Sequence, residues 1–187
     1  MDAPAAIEAG LAAGLRIHKF KRTELPRIQR TIGILRSLGP ASLLDTGSGR
    51  GVFLWPLLDA FPGLPVIATD LLEHRCTGIL AARRGGVANL SVVRMDAQRM
   101  PFAAGSADVT TMLEVLEHMP DPEKAAAEGM RVARRAVVFS VPSQPDENPE
   151  HIHLFDRPRL DGMFRGAGAR NVRFEALLNH FIGVALR

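Results

Sequence analysis

A glycine-rich segment that follows an apolar run is the most distinctive feature of the sequence. The run from Leu43 ends in Asp45, and glycines then stand at alternate positions, at Gly47, Gly49 and Gly51. Glycine has no side chain, so such a loop lets the backbone approach a ligand closely, and free N–H groups at a following helix N-terminus can donate to it. The segment is not a P-loop, because no Lys-Ser/Thr pair closes it. It is not the dinucleotide fingerprint either, because one residue rather than two separates the last two glycines.

Acidic residues end the next two apolar runs. Asp70 stands at about the spacing from the glycine segment at which an acid contacts ribose hydroxyls in nucleotide-binding α/β folds. Asp96, followed by Ala97, stands where a carboxylate can accept a hydrogen bond from an exocyclic amine. A hydrogen bond to a charged group contributes on the order of 1.5 to 3 kcal/mol to binding, so two acids can determine both the affinity for a ligand and which ligand is bound. One acid alone is typical of a strand end or a helix N-cap, but acids after three successive runs indicate a binding site.

A further group of titratable residues follows the fourth apolar run. Glu114, Glu117 and His118 stand at offsets of zero, three and four, so on a helical turn they would share one face. Two carboxylates and an imidazole can bind a divalent cation, or His118 can act as a general base. Two more imidazoles, His151 and His153, lie in the loop after the fifth run and are expected to face the same ligand crevice.

Five strand-like apolar runs alternate with helix-like segments along the chain. The strands are predicted at Ala41–Asp45, Pro65–Asp70, Asn89–Asp96, Ala107–Val115 and Arg135–Pro142, and the helices at Leu25–Leu38, Val52–Phe61, Leu72–Arg84 and Pro122–Val132. Apolar strands separated by helices predict an α/β fold with a parallel sheet covered by helices on both faces. Because ligands bind at the carboxyl ends of such strands, the acids and glycines described above are expected to meet there.

The last part of the chain departs from this alternation. Two strand-like runs, Asn171–Leu178 and His180–Arg187, almost touch and predict an antiparallel hairpin at the edge of the sheet. The segment Val141–His153 is rich in proline and acids and is the one long loop, which favours a functional or disordered segment. Pro56 falls inside the predicted second helix, so that helix either begins near Trp55 or is kinked.

Length and composition predict one soluble domain. The chain has 187 residues, of which 47% are hydrophobic, enough for a single sizeable core. No apolar run reaches the roughly 18 uncharged residues of a membrane span, and an acid at Asp2 without a basic start and an apolar block argues against a secretory leader. The single cysteine, Cys76, excludes an intramolecular disulfide, fits a reducing compartment and is expected to fill a small apolar space. A cytoplasmic protein is therefore predicted.

The first 40 residues are basic, whereas the remainder of the chain is nearly balanced in charge. They contain three acids, Asp2, Glu8 and Glu24, and seven bases, Arg16, Lys19, Lys21, Arg22, Arg27, Arg30 and Arg36. A basic arm can attract an anionic substrate or a nucleic acid. The same charges also fit the solvated face of an amphipathic helix over Leu25–Leu38, which is the preferred interpretation.

The ordered set of motifs resembles the class I S-adenosylmethionine-dependent methyltransferases, from about Ser42 to the C-terminus. The resemblance implies a Rossmann-like sheet of seven strands, mostly parallel, with an antiparallel last strand inserted beside the fifth. It implies a cofactor-binding domain over residues 41–187, with residues 1–40 as a helical cap of the same domain. It also implies the cofactor contacts: the amino acid part at Asp45, Gly47, Gly49 and Gly51, the ribose at Asp70, and the adenine at Asp96 and Ala97, with Glu114 completing the set.

The residues after the fourth predicted strand of this chain are similar to those of two branches of this family. The run from Glu114 to Pro122 is similar to the E-x-L-E-H-x-P-D-P run of ubiquinone-pathway O-methyltransferases. Metal-dependent enzymes that methylate the terminal ribose of small RNAs carry E-x-x-E-H with a distant histidine, an aromatic and a base, as at His151, Phe155 and Arg157, although His153 stands where an aromatic is expected. Both branches imply a divalent ion, Mg²⁺ or Mn²⁺, held by Glu114, Glu117, His118 and His151. Metal-free members also carry Leu-Glu-His here, which leaves His118 as a simple base.

The resemblance implies an enzyme that methylates a hydroxyl of a small metabolite or natural product. Glu117, His118 and His151 are then expected to act on the acceptor. Two alternatives stay open: methylation of RNA ribose, and a catalytically silent subunit that binds the cofactor and stabilises a partner. A small-molecule substrate is expected, a nucleic acid is a second option, and no membrane partner is expected. The sequence indicates neither the acceptor nor the oligomeric state.

Overall fold

The computed structural model of the protein describes residues 25–187, together with Glu8 and Ala12. The bases predicted to form the start of the basic segment, Arg16, Lys19, Lys21 and Arg22, lie outside the described residues. Among the helices that are described, none combines the length and the apolar character that a bilayer crossing requires.

Between residues 25 and 187 the chain forms five α-helices and seven β-strands. The helices are α1 (Pro26–Leu38), α2 (Leu54–Ala60), α3 (Glu73–Arg84), α4 (Pro122–Val132) and α5 (Arg157–Gly166). The strands are β1 (Leu43–Thr46), β2 (Val66–Asp70), β3 (Leu90–Arg94), β4 (Ala107–Leu113), β5 (Ala133–Pro142), β6 (Asn171–Leu177) and β7 (His180–Leu186), and a short 3₁₀ turn spans Leu116–His118.

The strands have the order β3-β2-β1-β4-β5-β7-β6 in a seven-stranded sheet. The strand pairs β1–β2, β2–β3 and β4–β5 are parallel, whereas β7 is antiparallel to both β5 and β6. This confirms the predicted α/β class, the mostly parallel sheet and the antiparallel last strand beside the fifth. The chain divides into two compact units, Met1–Met95 and Asp96–Arg187.

In the first unit, β1, β2 and β3 form a parallel ladder in which Leu43 faces Val66. Helix α1 buries an apolar stripe of Ile28, Ile32 and Leu35 and is capped by Gly39, whose φ of 55° lies in the left-handed region. Two of its bases, Arg30 and Arg36, are exposed, as expected for the solvated face of an amphipathic helix.

The position of Pro56 is resolved by where α2 begins. The helix starts at Leu54, so Pro56 is its third residue. The first four N–H groups of a helix have no intrahelical acceptor, so a proline here removes no hydrogen bond. The first of the two expected alternatives, a helix that begins near Trp55, is therefore confirmed.

Cys76 is buried in α3, and this burial raises the pKa of its thiol.

In the second unit, β5 is the central strand and is almost wholly buried. A Cβ on Gly183 of β7 would lie 2.0 Å from Phe139 Cζ, so only glycine lets β7 cross this aromatic ring. Phe139 in turn stacks on Phe164 of α5, with ring centroids 4.2 Å apart. The predicted terminal hairpin is confirmed as β6 and β7.

Helix α5 is not predicted by the sequence patterns, which assign no element to this segment. Its N-terminus is capped by Asp156, whose side chain accepts from Arg159 N–H at 2.8 Å. The helix buries Leu160, Met163 and Phe164. Gly162 within the segment and its short apolar stripe conceal the helical period in the sequence.

An ion pair on α4 fixes the segment that follows Asp96. Arg131 donates to both oxygens of Glu128, at 2.6 and 2.8 Å, and to the Phe102 carbonyl at 2.7 Å. Glu128 also accepts from Met100 N–H at 2.7 Å. The Arg131 hydrogen bonds lower the pKa of the Glu128 carboxyl. This network gives the segment between Asp96 and β4 defined hydrogen-bond partners.

Candidate functional site

All three glycines of the loop after β1 adopt left-handed backbone angles. Gly47, Gly49 and Gly51 have φ of 70°, 57° and 80°. Residues with a Cβ rarely adopt these angles, so the alternate-glycine pattern is required by the path of the chain itself. The loop turns at each glycine and leads directly into α2.

Trp55 packs beneath this loop and leaves no room for a side chain at position 51. A Cβ on Gly51 would lie 2.2 Å from Trp55 Nε1, and this nitrogen donates to the Arg50 carbonyl at 3.1 Å. The indole is 3% exposed. The indole therefore packs against the glycine loop itself.

Asp45 holds the loop from within the core of the first unit. Its side chain is buried, and Oδ2 accepts from Ser48 Oγ at 2.7 Å. The Asp45 carbonyl accepts from Thr69 Oγ1 at 3.0 Å, which joins β1 to β2. The predicted cofactor acid is thus also part of the internal hydrogen bonding that shapes the glycine loop.

Asp70 binds the glycine loop directly. Its Oδ2 accepts from Gly49 N–H and its Oδ1 from Leu72 N–H, each at 2.9 Å. Each carboxylate oxygen has a second lone pair, so both can accept from further donors. Large apolar side chains beside these residues, Val52, Leu71 and Leu72, are about half exposed. The end of β2 therefore presents acceptors bordered by apolar surface.

In the second unit, Asp96 begins the segment that leaves β3. Its Oδ1 accepts from Gln98 N–H at 2.8 Å and from Gln98 Nε2 at 3.3 Å. Gln98 Oε1 accepts from Asp121 N–H at 3.1 Å, and Ala97 is buried. Both of these Asp96 hydrogen bonds fall on one oxygen, so Oδ2 is the atom suited to an incoming amine.

Three of the predicted acceptor-binding residues form one cluster in the second unit. One donor atom from each of Glu117, His118 and His151 lies within 4.8 Å of the other two. Glu117 is fully buried in the 3₁₀ turn. Its carbonyl accepts from Ile152 N–H at 2.9 Å and from His153 N–H at 3.3 Å. These backbone bonds bring the loop after β5 onto the turn after β4.

The two histidines of the cluster have the same ring nitrogen engaged. His118 Nδ1 lies 2.9 Å from the Glu150 carbonyl, and His151 Nδ1 lies 2.8 Å from Asp146 Oδ2. A carbonyl and a carboxylate only accept, so each Nδ1 carries a hydrogen, and the neutral form of each imidazole has its lone pair on Nε2. Histidines that bind metals almost always donate their second ring N–H to a carbonyl or a carboxylate in this way.

Glu114 does not join this cluster. The expected shared helical face is absent because Glu114 lies before the 3₁₀ turn with a φ of 55°. Its carboxylate instead accepts from Ser140 Oγ at 2.6 Å and lies 3.0 Å from His180 Nε2. His153 also lies outside the cluster, with Nε2 2.9 Å from the Met119 carbonyl.

Sequence reasoning did not assign Ser140, Asp146 or His180 to the site. Asp146 lies in the predicted loop after β5, five residues before His151, so loop acids near a candidate histidine are the signal that could have found it. His180 is 66 residues from Glu114, and no local pattern predicts this pairing.

Comparison with known sequences places the chain in a family. Residues 44–141 match the family profile described as methyltransferase domain. Nocamycin O-methyltransferase of Saccharothrix syringae is 34% identical over 112 residues, which are 58% of this chain and 40% of that protein. Malonyl-[acyl-carrier protein] O-methyltransferase of Methylococcus capsulatus is 32% identical over 114 residues, which are 57% of this chain and 41% of that protein. The chain thus spans less than half the length of these two relatives.

Solved structures of methyltransferases have the same fold as this chain. A SAM-dependent methyltransferase from Aquifex aeolicus matches with a TM-score of 0.72 and 19% identity, covering 100% of this chain and 98% of that one. Magnesium protoporphyrin IX methyltransferase from Synechocystis PCC 6803, solved with bound SAH, matches with a TM-score of 0.71 and 15% identity. The match covers 95% of this chain and 94% of that one. The chain belongs to the methyltransferase domain family, of the class I S-adenosylmethionine-dependent type.

Proposed function

We propose that this protein transfers a methyl group from S-adenosylmethionine to a hydroxyl oxygen of a small organic acceptor. The observation that carries the proposal is the hydrogen bond between Gly49 N–H and the Asp70 carboxylate, which joins the left-handed glycine loop to the end of β2. Family membership supports the methyl transfer. The names of the two relatives, both O-methyltransferases, support oxygen as the receiving atom.

Residues 41–187 are proposed to bind the cofactor, with residues 1–40 as a helical cap. The backbone of Gly47, Gly49 and Gly51 would surround the amino acid part, with Asp45 holding the loop in shape. Asp70 would accept from the ribose hydroxyls and Asp96 from the adenine amine. The bound cofactor supplies a methyl group made electrophilic by its sulfonium. Positioning two reactants in this way can lower the barrier by roughly 7 to 11 kcal/mol, which makes cofactor binding the largest contribution.

The cluster of Glu117, His118 and His151 fits a divalent cation. It offers two imidazole nitrogens and a carboxylate within 4.8 Å of one another, and both Nδ1 hydrogens already have acceptors. Imidazoles favour transition metals over Mg²⁺, so this donor set suits Mn²⁺ or Zn²⁺ better. Three protein ligands leave coordination positions open, as in catalytic rather than structural sites. A cation held there would supply a Lewis acid for the acceptor hydroxyl.

One experiment separates this proposal from its alternatives. The protein is incubated with methyl-labelled S-adenosylmethionine and with either the small-molecule fraction or the RNA fraction of a cell extract, with and without EDTA. We expect label in the small-molecule fraction and loss of transfer with EDTA. Label confined to RNA would support ribose methylation instead. Cofactor binding without any transfer would support the silent subunit.

A further inference from the structure

Three neighbouring strands bring Glu114, Ser140 and His180 together. β4 pairs with β5 in parallel, with Leu113 opposite Ser140, and β7 pairs with β5 antiparallel, with His180 opposite Pro142. Because β7 runs in the opposite direction, its first residue lies at the edge where β4 and β5 end. In open α/β sheets this is the edge at which ligands bind.

The carboxylate of Glu114 uses both oxygens to hold its neighbours. Ser140 Oγ donates to Oε1 at 2.6 Å, and His180 Nε2 lies 3.0 Å from Oε2. An ionised carboxylate only accepts, so the hydrogen of a neutral His180 sits on Nε2 and a lone pair remains on Nδ1. A carboxylate that fixes the tautomer and the orientation of an imidazole in this way is the arrangement that general bases use.

The backbone of Glu114 is held in a conformation that residues with a Cβ rarely adopt. Its φ is 55°, and among the described residues only Leu178 is another non-glycine with a positive φ. The Glu114 N–H donates to the Ser140 carbonyl at 3.0 Å, which helps to fix the bend. Strained backbone of this kind concentrates at functional sites. The side chains of Glu114 and His180 are 24% and 22% exposed, so the pair is held in place and is still reachable.

We propose that His180 accepts the proton of the acceptor hydroxyl, with Glu114 and Ser140 as its positioning residues; this rests on the proposed function. The O–H bond of the acceptor breaks and the proton moves to His180 Nδ1, while an oxygen lone pair forms the bond to the methyl carbon. The bond between that carbon and the sulfonium breaks, and its electron pair stays on sulfur.

The cluster of Glu117, His118 and His151 and the residue His180 have different roles in this proposal. With a cation bound to the cluster, His118 and His151 would use Nε2 to hold it and have Nδ1 committed, so neither would retain an atom to take a proton. His180 has such an atom. Glu114 precedes Glu117 by three residues, which limits the separation of their Cα atoms to about 11 Å. One residue of each group, Glu114 for His180 and Glu117 for the cluster, therefore lies on the same short segment after β4.

The test compares His180→Ala and Glu114→Gln with His74→Ala, an exposed histidine on α3 that serves as the control. Methyl transfer from labelled S-adenosylmethionine to the small-molecule fraction of a cell extract is measured with and without added imidazole. We expect His180→Ala to lose about 100-fold or more in rate, in the range typical of a general base. Imidazole should restore at least part of that rate in His180→Ala and none in Glu114→Gln, while His74→Ala matches the wild type and both histidine variants bind the cofactor normally.

Two results would overturn the assignment while leaving the proposed function intact. One is a His180→Ala variant that keeps most of the wild-type rate, and the other is a loss that imidazole does not restore. If the wild type itself transfers no label, the proposed function fails and the assignment falls with it. Nitrogen NMR of the imidazoles gives a check that needs no acceptor: His180 should carry its hydrogen on Nε2, and a hydrogen on Nδ1 would also overturn the assignment.

Discussion

Gly49 and Asp70 are joined by a hydrogen bond of 2.9 Å from the Gly49 N–H to Asp70 Oδ2. The bond links residues 21 positions apart and ties the loop after β1 to the end of β2. The second Asp70 oxygen accepts from Leu72 N–H. One carboxylate thus orients two backbone N–H groups at the edge where a ligand is proposed to bind, so changes at Asp70 should affect cofactor binding directly.

Replacing this carboxylate by an amide tests its part in binding. We expect Asp70→Asn to weaken the affinity for S-adenosylmethionine by about ten- to hundredfold, because an amide nitrogen would face one of the two N–H donors and the charge is lost. Fluorescence of Trp55, the only tryptophan, measures the affinity from directly beneath the glycine loop. The exposed Asp59→Asn on α2 is the control. An unchanged affinity in Asp70→Asn would show that this acid does not bind the cofactor.

A methyl group at Gly51 should disturb the loop more than the same change elsewhere. The added Cβ would lie 2.2 Å from the Trp55 indole, and the alanine would have to keep the φ of 80° of this position. We expect Gly51→Ala to lower the free energy of unfolding by about 2 to 4 kcal/mol, from overpacking and the left-handed angle together. Gly39→Ala, with a φ of 55° and no heavy atom within 4 Å, isolates the angle and should cost about 1 kcal/mol. Urea denaturation measures both, and equal losses would show that the collision with Trp55 is relieved.

The cation site predicts a ranked effect of four substitutions. We expect the wild type to bind one Co²⁺, seen as visible absorption, and Glu117→Gln and His151→Ala to lose it. Asp146→Asn should weaken binding by about ten- to hundredfold, because Asp146 orients the His151 ring. His153→Ala should bind as the wild type does, because its Nε2 faces the Met119 carbonyl. Equal Co²⁺ affinity in His151→Ala and His153→Ala would contradict the site.

The ion pair of Glu128 and Arg131 predicts a pH-dependent contribution to stability. The pKa of Glu128 is lowered in the folded chain by the hydrogen bonds from Arg131, so its stabilisation is present above the ordinary glutamate pKa and is lost as the pH falls through the lowered value. We expect Glu128→Gln to be less stable than the wild type by about 2 kcal/mol at pH 7, with the difference shrinking in acid.

The matched control for this ion pair is Glu123→Gln. Glu123 pairs with Arg159 at 3.4 Å, and its side chain is 55% exposed. An exposed pair contributes less than about 1 kcal/mol, so its loss should be small at every pH. Urea denaturation from pH 7 to pH 3 measures both variants. A Glu128→Gln difference that stays constant across this range would contradict the lowered pKa.

The fold could largely be predicted from local patterns. All seven described strands begin within two residues of their predicted positions, because apolar runs bounded by polar turns indicate buried segments, and β1 and the hairpin were found in this way. Helix α5 was missed because Gly162 interrupts a short apolar stripe, although Asp156 and Pro158 give the signal of a helix start.

The candidate site could be predicted where it depends on spacing along the chain or on the rule that ligands bind at the carboxyl ends of the strands, which brought His151 to the turn that carries His118. The glycine loop and Asp70 follow from spacing along the chain, and so do Glu117 and His118. The left-handed backbone of Glu114 has no sequence signal, because glycine or asparagine is expected at such angles. Its pairing with His180 depends on how β7 aligns with β5, which only the register of the sheet decides.

Calorimetric titration of S-adenosylmethionine into the wild-type protein tests the central claim most directly. The claim is that the glycine loop after β1 and the acids at the strand ends bind this cofactor. The predicted result is a saturable one-to-one heat that S-adenosylhomocysteine displaces and that Asp70→Asn weakens. The absence of any saturable heat with the folded protein would contradict the claim.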